Sequence, residues 1–173
     1  MNSSVLAYLE NSAEYFPEKC AVTDEKVSYS ELVKLSSSVG TALSELIASG
    51  DAVGIYMEKC ADAVAAFFAT VYAGGFYSVL NTELPQNRLQ TTVSVLNPKV
   101  IVTSESLLET AKEYFSERKI VTFEDLAKSE PDYAKLGEIR SHKIDTDPLY
   151  INFTSGSTGT PKGIVVCHRS GID

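Results

Sequence analysis

Leu149-Tyr150-Ile151-Asn152-Phe153, Thr154-Ser155-Gly156-Ser157-Thr158-Gly159-Thr160-Pro161-Lys162 and Gly163-Ile164-Val165-Val166-Cys167 read as strand, loop and strand. The two outer runs are short and apolar, with β-branched and aromatic residues at most positions, which suits strands. The middle run packs hydroxyl residues, glycines, one proline and one lysine into the stretch from Thr154 to Gly163. Each type has a physical use. Glycine backbone tolerates unusual dihedrals and lets several N–H groups converge on an anion. Ser and Thr hydroxyls add donors that bend round phosphate oxygens. Lys162 supplies a full positive charge, and Pro161 limits the freedom that so many glycines create. Together they describe a cradle for a triphosphate tail.

The loop is not a Walker A sequence. That pattern needs Gly-x-x-x-x-Gly-Lys followed by Ser or Thr, running from a strand into a helix. Here the sixth position from Gly156 is Pro161, Lys162 is followed by Gly163, and a strand comes next. On composition alone, a Gly/Ser hairpin with no ligand is the competing reading.

Upstream, the hydrophobic period switches repeatedly between helix and strand. Val5, Leu9, Ala13 and Phe16 share a helical face, and Pro17 ends it. Cys20-Ala21-Val22 reads as a strand. Ser28 and Glu31 have the spacing of a capping box, opening a helix with Leu32, Leu35, Val39, Leu43 and Leu46 on one side. Strands are expected at 52–56, 76–80, 100–102 and 120–122. Helices are expected from Asp62, with Gly74-Gly75 as its C-terminal cap, from Pro85 to Leu96, and from Leu107 to Phe115. The helix at 61–73 is apolar almost all round, as expected of one buried against more than a sheet face. Such alternation predicts an α/β fold, a mostly parallel sheet with helices on both faces, ending in the strand–loop–strand hairpin. Residues 124–147 are more charged and contain Pro131 and Gly137, so they read as a connector with little regular structure.

The chain has 173 residues, enough for one sizeable core, and 44% of them are hydrophobic against 22% charged. The net charge of -8 argues against a nucleic-acid partner but not against a single nucleotide held by local donors. No apolar run reaches the ~20 residues that span a bilayer. Met1-Asn2-Ser3-Ser4 lacks the basic start and apolar stretch of a secretion signal, so a cytoplasmic protein without a membrane partner is expected. Cys20, Cys60 and Cys167 are widely spaced, and with His142 and His168 they make no metal-ligand pattern.

The stretch from Tyr150 to Gly163, followed by Val166-Cys167-His168-Arg169, resembles the signature loop of the adenylate-forming, or AMP-binding, superfamily. Two weaker matches lie upstream in the family's order. Val27-Ser28-Tyr29-Ser30-Glu31-Leu32 is similar to its Leu-Thr-Tyr-x-Glu-Leu motif. Tyr72-Ala73-Gly74-Gly75-Phe76-Tyr77-Ser78-Val79-Leu80-Asn81 is similar to its Lys-Ala-Gly-Gly-x-Tyr-Val-Pro-Leu-Asp motif, with Val79 at the usual proline and Asn81 at the usual aspartate. The resemblance covers essentially the whole chain. Its spacing favours the amino-acid-activating branch, the adenylation domains of nonribosomal peptide synthetases and the D-alanine–carrier protein ligases.

The resemblance implies that the chain is the first part of the large N-terminal domain of an ATP-dependent ligase, cut off after the phosphate-binding loop. Such enzymes join a carboxylic acid, here an amino acid, to ATP and release pyrophosphate, with Mg2+ sharing the phosphate charge. The acyl group then passes to a thiol, that of coenzyme A or of a carrier-protein phosphopantetheine. Thr154, Ser155, Ser157, Thr158 and Lys162 are the implied phosphate contacts. Gly156, Gly159 and Gly163 permit the loop's fold, and Thr160 completes the binding segment. His168 ends the motif, and a structural hydrogen bond is the competing reading for it. No catalytic residue and no metal ligand is assigned within the chain. The family's adenine and ribose contacts, its Mg2+-binding glutamate, acyl pocket and catalytic lysine lie downstream, so the chain alone is expected to lack ligase activity. The alternatives are a non-catalytic nucleotide- or phosphate-binding module and a fragment that docks on a partner, or dimerises, through an exposed apolar face.

Overall fold

The computed structural model describes residues 4–23, 26–154 and 161–172. In chain order the elements are α1 (Val5–Tyr15), β1 (Cys20–Val22), β2 (Val27–Ser28), α2 (Tyr29–Leu43), β3 (Ala52–Tyr56), α3 (Ala61–Tyr72), β4 (Phe76–Val79) and α4 (Gln86–Leu96). Then follow β5 (Val100–Thr103), a 3-10 turn at Glu105–Leu107, α5 (Leu108–Tyr114), β6 (Ile120–Thr122), α6 (Phe123–Leu126), α7 (Tyr133–Ser141), β7 (Pro148–Thr154), β8 (Lys162–Cys167) and α8 (His168–Ile172).

Six strands form one sheet in the order β6-β5-β3-β4-β7-β8. Every pair is parallel except the last, in which β7 and β8 run antiparallel. The two central strands explain the short unbroken apolar runs of the sequence. All five residues of β3 and all four of β5 are buried, as a strand covered on both faces requires. Their side chains alternate between two cores. Val53, Ile55, Val100 and Val102 pack with Leu32, Val39, Leu43, Ala65, Ala66 and Ala69 of α2 and α3. Tyr56 and Ile101 point the other way, to Leu80, Leu89, Val93, Ala111 and Phe115, on the side of α4 and α5. The expected helix layers on both faces are therefore present.

Local signals set the helix ends. Ser4 caps α1, its hydroxyl accepting from the Leu6 N–H at 3.3 Å. The Ser28 hydroxyl accepts from the Glu31 N–H, and the Glu31 carboxylate accepts from the Ser28 N–H at 2.8 Å, a complete capping box. After α3, Gly74 turns the chain at φ +81°, a conformation that glycine adopts without steric cost. The apolar α3 is enclosed as its composition demands, with Ala63, Ala65, Ala66 and Ala69 in the main core and Val71 and Tyr72 in a third cluster with Leu6, Leu136 and Leu149.

Residues 124–147 differ from the expectation of little regular structure. They hold the end of α6 and all of α7. Asp132 caps α7 by accepting from the Lys135 N–H at 3.0 Å, and Leu136 is its one buried side chain. Ile139 packs beside Leu136 in the third cluster, so a short apolar pair and one cap hold α7 against α2 and α3. Arg140 of α7 reaches Glu10 of α1 at 2.5 Å, and Lys135 pairs with Glu45.

Candidate functional site

The hairpin of β7 and β8 occupies one edge of the sheet. Its inner strand is fastened to β4. Tyr77 lies in register with Tyr150, and its ring stacks on Tyr150 at 5.7 Å and on Phe67 of α3 at 4.7 Å and 8°. Ser78 Oγ donates to the Ile151 carbonyl at 2.9 Å. Burial pushes the Tyr77 phenol up to about 12, with Tyr150 adding to the shift.

From that anchored strand the hairpin projects with regular antiparallel register. Asn152 faces Ile164, Phe153 faces Gly163, and Thr154 faces Lys162. Thr154 Oγ1 donates to the Lys162 carbonyl at 3.5 Å. Both side chains are exposed. Thr154, Lys162 and Gly163 are thus brought together at the mouth of the glycine-rich loop, a hydroxyl and an ammonium across one rung. Among the described residues, no ion pair involves the Lys162 ammonium. Ser155, Gly156, Ser157, Thr158, Gly159 and Thr160 lie outside the described residues.

β7 also points its C-terminal end the same way as the other parallel strands. In open α/β sheets, ligands bind beyond the carboxyl ends of the strands. Thr154, the last residue of β7, and Lys162, which faces it, lie on that side.

His168 is not at the loop. It starts α8 at the other end of β8, and it is buried. Its Nδ1 accepts from the Val5 N–H at 3.5 Å. Burial lowers its pKa, Lys143 lowers it further, and Asp147 opposes the shift. The structural reading of this histidine is the one its surroundings support.

Sequence reasoning missed the groups that hold the hairpin's root. Lys143 Nζ pairs with Asp147 at 3.0 Å and donates to the Gly74 carbonyl at 3.1 Å. Arg169 grips Asp145 through Nε and Nη2, each at 2.9 Å. The four-residue spacing of Lys143 and Asp147 was the available signal. It fell within the segment expected to be irregular.

Among the described residues, no group of three or more His, Cys, Asp and Glu is placed to hold a metal ion. Cys20, Cys60 and Cys167 are all unbridged. No described helix is long and apolar enough to cross a membrane.

Comparison with known proteins agrees with this geometry. A family model described as AMP-binding enzyme matches residues 9–172. Nonribosomal peptide synthetase 30 of Fusarium vanettenii is 36% identical over 152 residues, which cover 85% of this chain and 2% of that protein. Tyrocidine synthase 1 of Brevibacillus parabrevis is 29% identical over 169 residues, 96% of this chain and 15% of that protein. The chain therefore spans a small part of either relative's length. Among solved structures, the Klebsiella oxytoca NpsA N-terminal subdomain in complex with 3-hydroxybenzoyl-AMSN superposes with a TM-score of 0.79 at 20% identity, covering 96% of this chain and 41% of that one. ATP-bound MatB from Rhodopseudomonas palustris superposes with a TM-score of 0.70 at 28% identity, covering 83% of this chain and 30% of that one. The strand–loop–strand hairpin, the doubly covered parallel sheet and the family match over nearly the whole chain have one reading: this chain belongs to the AMP-binding, adenylate-forming enzyme family and has the fold of part of its N-terminal subdomain.

Proposed function

We propose that this chain carries the nucleotide-phosphate hairpin of a ligase that activates an amino acid as its adenylate, releases pyrophosphate and passes the acyl group to a carrier-protein or coenzyme A thiol. The observation that carries the proposal is the Thr154–Lys162 rung at the mouth of the glycine-rich loop. A hydroxyl and an ammonium there suit the β- and γ-phosphates of ATP. Ser155, Ser157, Thr158 and Thr160 add donors, and Gly156, Gly159 and Gly163 leave the backbone free to approach. In adenylate formation the leaving pyrophosphate gains charge, and donors fixed in advance stabilise it.

The amino-acid branch is supported by relatives that are peptide synthetases. ATP as the nucleotide is supported by the ATP-bound state of MatB. The described residues offer hydroxyl and ammonium groups rather than a carboxylate cage, which fits Mg2+ arriving on the phosphates. That ion, when bound, neutralises phosphate charge. The chain's own part is to position the phosphate tail.

Titration of the 173-residue chain with Mg·ATP, beside Lys162→Ala, tests the loop assignment. Weak binding that disappears in Lys162→Ala is expected, because phosphate contacts alone must offset the cost of association without help from contacts to the base. Equal affinity in the two proteins overturns it. The chain by itself is expected to release no pyrophosphate in response to a carboxylic acid. Pyrophosphate exchange across amino and fatty acids, by a protein carrying this chain in a whole adenylation domain, identifies the acid.

A further inference from the structure

The root of the hairpin lies at the far end of β8 from the loop. From Cys167 to Lys162 the strand covers five steps, roughly 17 Å. At this root the chain enters α8, and its first side chain, His168, is only 2% exposed. The imidazole reaches across the fold to the first residue of α1, where Nδ1 accepts the Val5 N–H at 3.5 Å. The His168 N–H donates to the Asp147 carbonyl at 3.2 Å, and the Arg169 N–H to the Asp145 carbonyl at 2.8 Å. Val5 in turn packs against the cluster of Leu6, Val71, Tyr72, Leu136 and Leu149. One ring therefore joins the outer strand of the hairpin to the helix that begins the fold.

We infer that His168 is a positioning residue of the phosphate hairpin, a tie between β8 and α1 that holds only while its ring is neutral. The inference rests on the reading of the loop as a phosphate site. An Nδ1 that accepts a hydrogen bond fixes the neutral ring's proton on Nε2. A second proton goes to Nδ1, which then turns an N–H toward the Val5 N–H, and the bond is lost.

The charged surroundings do not welcome the cation. From the connection between α7 and β7 come Lys143 and Asp147, already paired with each other. Asp145 of the same connection is engaged by Arg169 of α8. Cys167 of β8 shares a 3.3 Å contact with Ser170 Oγ. α1 offers a backbone N–H at this point, and its Glu10 is committed to Tyr72 and Arg140. Burial and Lys143 together outweigh Asp147, so the folded ring protonates less readily than an ordinary histidine. The sign follows. With the folded pKa below the ordinary value, the tie is intact above about 6.5 and is lost as the pH falls through the lowered value.

Four forms of the 173-residue chain test this: wild type, His168→Asn, His168→Ala and Lys162→Ala. An asparagine carbonyl can accept the Val5 N–H but does not titrate. Amide exchange at Val5 and along β8, corrected for intrinsic rates, is followed from pH 7.5 to 5. Mg·ATP affinity is measured by NMR titration at pH 7.5 and 5.5. In wild type, protection of Val5 and β8 is expected to fall as the His168 ring protonates, and affinity to fall about three- to tenfold more than in His168→Asn. Titration of the nucleotide's own phosphate cancels in that ratio. His168→Ala is expected to show the weak affinity already at pH 7.5. Equal pH dependence in wild type and His168→Asn overturns the inference. So does Val5 protection in wild type that stays flat while the His168 ring resonances report its protonation, a reading that needs no variant to fold. Failure of the phosphate assignment has a different mark: Lys162→Ala binds as wild type does, while the Val5 profile still reports whether the tie exists. In that case the tie survives as a structural contact and its role in nucleotide positioning is refuted.

Discussion

Gly40 of α2 and Tyr72 of α3 meet so closely that a Cβ built on Gly40 would stand 2.8 Å from the Tyr72 Cβ and 3.1 Å from the Ala69 carbonyl oxygen. The two helices cross there with no room for a methyl group. Neither obstacle is the movable end of a side chain, so the helices must part. Gly40→Ala gains about 1 kcal/mol of helix propensity but overpacks the contact by about 1–3 kcal/mol. A net loss of about 1 kcal/mol is expected, read as a lower urea midpoint at unchanged slope. An increased midpoint would show that the contact yields easily.

Ser36, on the same helix, is fully buried, and its hydroxyl has no hydrogen-bond partner among the described residues. A buried unpaired hydroxyl costs about 1–3 kcal/mol against a methyl group of similar shape. Ser36→Ala is therefore expected to raise stability by about 1 kcal/mol, the opposite of the usual result of a core substitution. Chemical denaturation decides it, and a lower midpoint would show the hydroxyl to be bonded.

The capping box at the start of α2 has a pH signature. Hydrogen bonds from Ser28 hold the Glu31 carboxyl below its ordinary value. Its contribution is present above the ordinary carboxylate range and is lost as pH falls through the lowered folded value. Thermal melts of wild type and Glu31→Gln should differ at pH 7 and draw together as pH falls below the ordinary carboxylate range. Ser28→Ala, which removes the cap itself, should cost about 1 kcal/mol at neutral pH.

At the alkaline end, Tyr77 takes over. Its phenol is held at about 12 by burial between Phe67 and Tyr150. A raised folded pKa gives stability below about 10, the unfolded value, which is lost as pH climbs toward 12. Tyr77→Phe keeps the ring stack and removes the ionisation, so its urea midpoint should fall less between pH 10 and 12. Burial also raises the Tyr72 phenol, helped by Glu10, and accounts for part of the slope that remains. Equal slopes in the two proteins would show that Tyr77 ionises without opening the sheet.

The helix–strand alternation was legible because buried parallel strands leave short unbroken apolar runs, as at 52–56 and 100–103. The helix start at Ser28 was legible because caps are local. α7 was not, since one buried leucine in a charged segment broken by Gly137 leaves no periodic stripe. β2 is two residues long and exists only by pairing with β1. At the site, Thr154 and Lys162 stood out by residue type. The anchoring of Tyr150 on Tyr77, and of His168 on Val5, joins residues far apart in the chain and has no local signature.

The position of β7 bears on the order of assembly. Ser78 and Ile151 bond across neighbouring strands although 73 residues separate them. β3, β4 and β5 find one another over much shorter stretches of chain. Closing a long loop carries an entropic cost before any contact offsets it, and folding slows as contacts become less local. As the chain emerges from the ribosome, the middle of the sheet can form first, and the hairpin docks on an edge that already exists. On this ground the pairing of β7 with β4 is expected to be among the later steps of folding.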